Sequence, residues 1–274
     1  MIRPYRSAAL TGFLSLCSPG LGQIYLGELG KGMAFSGTVG VGVALFKHHH
    51  HTAMKQFGVQ LCSTAWSYGV YSAYRDARLF NRESLYSYKM PTDRFVDLAA
   101  APFRWSVIKK PEVWGAFLGS LALATTVTYL AYPSEARIKT HSVSLAKWAQ
   151  PLSAFAVGLS EESFFRGYLQ SQIAEISNPT TGIVLSSLIF GAAHMPNVLV
   201  LDLPHEHRWR YFAFSIPMIT ALGGYFGWMT HKNRSLKESV ALHSWYDFTL
   251  FTIGAIGAQA AIGGPVNVGY SFAF

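Results

Sequence analysis

The chain has 274 residues, of which 50% are hydrophobic and only 13% are Asp, Glu, Lys or Arg. Soluble domains carry about 25% charged residues, so this composition argues against a soluble globular protein. The net charge is +8, but no nucleic-acid recognition module accompanies the basic residues. We therefore expect no nucleic-acid partner.

Charge is absent from several long segments of the chain. Each such segment is near the roughly 20 residues needed to cross a hydrocarbon core. No alternating strand pattern is visible, so we predict an all-α, polytopic transmembrane helical bundle with about 7–8 membrane segments, in contact with membrane lipids. The segments without Asp, Glu, Lys or Arg are residues 7–27, 56–74, 113–134 and 211–230.

The first predicted region, residues 1–74, is a Gly-rich membrane hairpin region. Pro19 and Gly20 interrupt its first apolar run, residues 7–27. Either this run folds back as a re-entrant hairpin, or one weak segment of the region does not cross the membrane. Residues 75–112 are rich in Lys and Arg. Basic loops beside spans usually stay cytoplasmic, next to anionic headgroups, so we interpret this segment as a basic cytoplasmic loop.

The second predicted region covers residues 113–260 and begins with a span at residues 113–132. The pair Asn178-Pro179 predicts a helix start. That helix should run to His194, because Pro196 disfavours helical geometry at the residue before it. Residues 235–238 have the pattern of a capping box and predict the last helix. The remaining residues, 261–274, are assigned to a tail.

Ionisable residues within apolar helices are the main functional indication. Each one costs at least about 2.5 kcal/mol at membrane depth and is a functional candidate by default. Glu162 and Arg166 are four residues apart, so they share a helical face and can pair. Glu161 points about 100° away around the helix. It can therefore remain available as a general base while Arg166 holds its neighbour.

Two further helices supply the remaining acid–base groups. His194 lies at the end of its helix, and His243 shares a helical face with Asp247. Glu161 and His194 could hold and deprotonate a water. His243 could donate a hydrogen bond to the developing oxyanion, with Asp247 fixing its tautomer. The chemistry that these groups predict is hydrolysis of an acyl bond by an activated water.

Three short patterns carry a family resemblance: Glu161-Glu162-x-x-x-Arg166, Phe190-x-x-x-His194 and His243-x-x-x-Asp247. Over roughly residues 105–260 the chain resembles the CAAX prenyl protease and bacteriocin-processing (CPBP) family of intramembrane proteases. The resemblance implies an endopeptidase with a protein or peptide substrate, in which Glu161 and His194 position the water. It also implies that Glu162 and Arg166 complete the first motif, and that His243 and Asp247 stabilise the transition state. With no eukaryotic targeting segment visible, it favours a bacterial plasma (inner) membrane.

The residues leave a metal site open. Glu161, His194 and His243 would make a His₂Glu set, which is an accepted catalytic zinc shell. The sequence lacks His-Glu-x-x-His, in which one helix supplies two ligands and the base. We favour a site without a cofactor, because Glu161 and His194 can activate water unaided and the nearby Arg166 disfavours a dication; zinc is the alternative.

Two functions of other classes compete with the protease. A catalytically inactive membrane scaffold or adaptor could keep the same fold and the same residues. A transporter could use buried Glu and His as a proton relay, but such proteins often have two related halves. We find no internal repeat in this chain.

Overall fold

The computed structural model describes residues 5–131, 149–199, 205 and 208–260. All the elements in these ranges are helical, as predicted. The predicted tail, residues 261–274, lies outside the described residues. Within these ranges, the α-helices of four or more residues are α1 (Ala8–Cys17), α2 (Leu21–Tyr25), α3 (Leu29–His48), α4 (Thr52–Phe80), α5 (Phe95–Ala100), α6 (Trp105–Ile108), α7 (Pro111–Ala131), α8 (Ala149–Glu162), α9 (Ser171–Ile176), α10 (Pro179–Ala193), α11 (Ile216–Asn233) and α12 (Lys237–Ala260).

Four candidate membrane spans are found among the described residues, so the predicted 7–8 segments are not confirmed. Two of the four fall on the predicted spans at residues 113–134 and 211–230. Only 11% of the residues in the apolar stretch of α3 are buried, so most of this helix faces outward. The candidate spans are Leu29–His48, Pro111–Leu130, Pro179–Leu199 and Arg208–Asn233.

The first apolar run is broken where Pro and Gly predicted a break. Helix α1 ends at Cys17, and Gly20 has φ 88°, a left-handed conformation that glycine adopts without steric cost. Helix α2 then begins at Leu21. A Cβ at Gly20 would lie 2.2 Å from the carbonyl oxygen of Gly32, so α3 also approaches this turn closely.

Helix α4 extends beyond the predicted end of the first region. It continues through Arg75 and Arg78 to Phe80, so the first residues of the predicted basic loop are helical. Both arginines are buried. Arg75 pairs with Asp76 and Arg78 with Glu83, at N–O distances of 2.7 Å in both pairs. These two charges are therefore paired within the protein interior rather than exposed to solvent.

Residues 149–176 form one continuous helical element with an irregular centre. Helix α8 passes into a π-helical segment at Ser163–Gln170 and then into α9. Helix α8 packs against α4 on one side and α12 on the other, and α10 packs against α11. Because π-helical turns widen the backbone and occur frequently at functional sites, this segment is a candidate location for one. The sequence patterns do not predict the π-helical turns.

The start of α10 is as predicted. The Asn178 side chain accepts a hydrogen bond from the backbone N–H of Thr181 at 2.9 Å, and Pro179 occupies the first helical position. The helix ends at Ala193, and His194 is its C-terminal cap residue. His194 is therefore held at the helix end rather than on a helical face.

The start of α12 is also placed correctly, but the predicted capping box is wrong. Ser235 Oγ accepts from the N–H of Lys237, two residues on, rather than from the residue three positions on. The Glu238 carboxylate accepts from Lys110 Nζ at 2.6 Å instead of turning back. Asp93, from the predicted loop, accepts from the N–H of Leu236 at 2.8 Å and completes the cap.

Candidate active site

Three helical elements bring the six candidate residues together. Their side chains form a continuous chain of contacts, each no longer than 4.0 Å. Glu161, Glu162, Arg166 and His243 are buried, while His194 and Asp247 are partly exposed. The polar faces predicted from three separate motifs therefore converge. Glu161 and Glu162 end α8, Arg166 lies in the π-helical segment, His194 ends α10, and His243 and Asp247 lie on α12.

Glu162 holds one side of the site together. Its Oε1 lies 3.2 Å from Nη1 of Arg166, which confirms the predicted ion pair. The same Oε1 accepts a hydrogen bond from His243 Nδ1 at 2.8 Å. Since a carboxylate oxygen can only accept here, the proton of this bond lies on Nδ1. Glu162 therefore fixes the orientation of the His243 ring from another helix.

The predicted role of Asp247 as the residue that fixes the His243 tautomer is wrong in this geometry. Asp247 Oδ2 lies 3.5 Å from Nε2 of His243, on the opposite edge of the ring from the Glu162 bond. The four-residue spacing brought the two residues onto one face, as expected. The tautomer is decided instead by the shorter contact across the helix interface. Asp247 is left beside the nitrogen that faces Glu161.

Arg166 is enclosed by aromatic rings. Its guanidinium carbon lies 4.2 Å from the ring centre of Phe190 and 5.4 Å from that of Phe226. A cation on the face of an aromatic ring is stabilised more strongly when both are out of water. The side chain is fully buried. Glu162 alone would leave several N–H groups of the guanidinium without a partner. The aromatic rings therefore accommodate the rest of this cation.

We expect Gly223→Ala to destabilise this arrangement. A Cβ at Gly223 would lie 2.9 Å from Nη2 of Arg166 and 3.0 Å from Cδ1 of Phe190. Overpacking a filled interior costs about 1–3 kcal/mol, so the melting temperature in detergent should fall. Gly224→Ala is the matched control, because its Cβ would meet no atom closer than Ser187 Oγ at 3.9 Å. Equal melting temperatures for the two variants would contradict this packing.

Glu161 is placed between the two histidines. Its Oε2 lies 3.6 Å from Nε2 of His243 and 4.0 Å from Nε2 of His194. This oxygen is buried and has no hydrogen-bond partner within the described residues. A buried carboxylate oxygen normally has a partner. It is therefore available to accept a hydrogen bond from a small molecule.

The tautomer of His194 follows from its surroundings. Its Nδ1 lies 2.7 Å from the carbonyl oxygen of Phe190. A carbonyl only accepts, so Nδ1 carries the proton and Nε2 of the neutral ring presents its lone pair towards Glu161. The Tyr211 hydroxyl donates to the backbone carbonyl of His194 at 2.9 Å. Tyr211 was not among the predicted residues; it follows the motif by 17 positions, and no spacing rule connects them.

Three of the candidate residues are also the donors of the alternative zinc site. In the ranges that the structure describes, no group of three or more His, Cys, Asp or Glu side chains is arranged to hold a metal ion. Glu161, His194 and His243 approach one another, His243 Nδ1 is bonded to Glu162, and the fully buried Arg166 is part of the same cluster. The guanidinium charge beside these three donors opposes the binding of a dication.

Part of the chain matches a known protein family. Residues 144–249 match the family described as type II CAAX prenyl endopeptidase, Rce1-like. The match covers all three motifs and confirms the predicted family resemblance. No curated protein and no solved structure is significantly similar to the chain. Together with the apolar helices, the match indicates an integral membrane protein with a CAAX-protease-like region.

Proposed function

We propose that the protein is an intramembrane endopeptidase that hydrolyses a peptide bond of a membrane-associated protein or peptide. The family match supports the reaction class. The observation that carries the proposal is the unpartnered Oε2 of Glu161, which faces the Nε2 atoms of His194 and His243 at 4.0 and 3.6 Å within the described site. A general base thus lies within 4.0 Å of two further acid–base groups.

The attacking water is held between Glu161 and His194. Two hydrogen bonds of about 2.8 Å from one water readily span acceptors that are 4.0 Å apart. Glu161 removes a proton as the water oxygen bonds to the substrate carbonyl carbon. The protonated Glu161 then passes this proton to the amide nitrogen as the carbon–nitrogen bond breaks. The products are a carboxylic acid and an amine, and Glu161 is restored.

His243 stabilises the negative charge on the carbonyl oxygen. Its Nδ1 proton is committed to Glu162, so only Nε2 can face the substrate. Three carboxylates and one guanidinium lie in the cluster, and Glu161 and Asp247 both approach Nε2. A second proton, on Nε2, makes the ring a cation that these carboxylates attract. The imidazolium is then a hydrogen-bond donor aimed at the oxyanion.

Substrate class and metal dependence are tested together. Purified protein in detergent is offered quenched peptides with a prenylated or an unmodified C-terminal Cys-a-a-X sequence, with and without a chelator. We expect cleavage at a single peptide bond of at least one peptide, with a rate that the chelator does not change. Loss of cleavage with chelator and its return with zinc would contradict the metal-free mechanism. No cleavage by folded protein across the panel would favour a scaffold.

A further inference from the structure

Helix α4, which lies outside the family match, contacts one half of the candidate site through Tyr71 and is linked to the other half through Asp93. Building on the proposed function, we propose that Tyr71 and Asp93 form a positioning unit. Tyr71 supports the segment that carries Glu161 and Arg166, while Asp93 holds the helix that carries His243. The three-helix site would then depend on α4 for its geometry.

The first half of this unit is the contact between Tyr71 and Gly167. Tyr71 lies on α4 and is fully buried. A Cβ at Gly167 would lie 2.5 Å from Cδ2 of the Tyr71 ring, so any larger residue there would displace the ring or the backbone. Gly167 follows Arg166 within the π-helical segment. The ring of Tyr71 therefore supports this segment one residue after Arg166.

The hydroxyl group of Tyr71 links α4 to the chain before α5. It lies 3.1 Å from the carbonyl oxygens of Pro91 and of Asp93, and donates its hydrogen to them. Arg75, one turn further along α4, also donates through Nη1 to the Asp93 carbonyl at 2.6 Å. The backbone at Asp93 is thus fixed to α4 by two side chains.

The carboxylate of Asp93 then fixes the start of α12. It accepts from the N–H of Leu236 at 2.8 Å and from Ser235 Oγ at 3.2 Å. A carboxylate at a helix N-terminus also interacts favourably with the helix dipole. Leu236 precedes His243 by about two helical turns. The position of His243 along and around α12 is therefore set partly by Asp93, and through it by Tyr71.

This linkage explains how two helices hold a short contact across the site. Glu162, next to the π-helical segment, must keep its oxygen 2.8 Å from His243 Nδ1 on α12. Both segments contact the same side-chain unit, one through the Tyr71 ring and the other through its hydroxyl group and Asp93. A misplacement of about 1 Å can cost a hundredfold in rate, so a shared support has a catalytic consequence.

The test compares Tyr71→Phe with Tyr225→Phe. Both variants lose a hydroxyl that donates to a backbone carbonyl, but the Tyr225 hydroxyl joins α11 to Glu112, at the start of α7, at 2.8 Å. We expect Tyr71→Phe to lower kcat about tenfold with KM unchanged. We also expect faster hydrogen exchange in peptides covering the start of α12. Tyr225→Phe should change neither quantity.

A second pair of variants tests the same proposal if Tyr71→Phe folds poorly. Asp93→Asn retains an acceptor for Leu236 N–H, whereas Asp93→Ala removes it; Asn should preserve kcat within about threefold and Ala should lower it about tenfold. Unchanged exchange at α12, or changed exchange with an unchanged kcat, would overturn the positioning role. If the wild type cleaves no peptide, the proposed function fails, while the exchange experiment still decides whether Tyr71 tethers α12.

Discussion

Replacing Glu161 with glutamine is expected to lower kcat about 10³-fold while the protein remains folded. A positioned general base contributes about 10²–10⁴-fold, and glutamine keeps the size of the side chain but cannot take the proton. Glu161 Oε2 has no competing partner among the described residues, so the substitution removes few other interactions. Turnover of a quenched peptide measures the loss, and the melting temperature reports folding.

The matched control for this variant is Glu238→Gln. Glu238 is also buried and lies on α12, but it pairs with Lys110 at 2.6 Å, away from the histidines. We expect it to keep turnover within about threefold and to lose some stability, because its lysine partner is left with a neutral group. Similar losses of turnover in both variants would indicate a general effect of buried glutamates, not a catalytic base.

The second large effect is expected at His243. His243→Asn places an amide nitrogen near the position of Nδ1, so the donor to Glu162 is retained while the nitrogen facing Glu161 is lost. Removing one oxyanion donor costs about 10²–10³ in kcat, and we expect a loss in this range without a change in melting temperature.

His231→Asn is the control for the second prediction. His231 stacks on Tyr88 with ring centres 5.9 Å apart, outside the described site, and should tolerate the change. Full turnover by His243→Asn would exclude Nε2 as the oxyanion donor and would leave His243 a structural partner of Glu162.

Local spacing rules predicted a large part of the site. The four-residue separation of Glu162 and Arg166 predicted their pairing, because residues at this spacing are neighbours on a helix. Asn178 and Pro179 predicted where α10 starts, and Pro196 predicted that it ends near His194. These inferences succeeded because each depends on the backbone within one or two turns.

Apart from the π-helical segment, the features that the sequence does not predict depend on contacts between distant segments. Asp247 was assigned to His243 because it is the nearest acid on the same face, yet Glu162 from α8 lies closer to Nδ1. The cap of α12 comes from Asp93, more than a hundred residues earlier. No periodicity or capping rule encodes such pairings, which arise only when the helices pack.

The membrane segments are also predicted only in part from the sequence. Residues 7–27 contain no acidic or basic side chain, but the turn at Gly20 divides them into two short helices. Helix α3 has the length and apolar character of a span although Lys31 and Lys47 lie near its ends. A charge-free run is therefore neither sufficient nor necessary for a helix of spanning length, because a backbone break can divide the run and charged residues can lie near the helix ends.

In the proposed mechanism, Glu161 directs a water onto a peptide bond. The most direct measurement is mass spectrometry of the products from one quenched peptide, incubated in heavy-oxygen water with wild-type protein or with Glu161→Gln. We predict two defined fragments from the wild type, with one heavy oxygen in the new carboxyl group, and no fragments from the variant. Equal yields of the same labelled fragments from both proteins would contradict the claim.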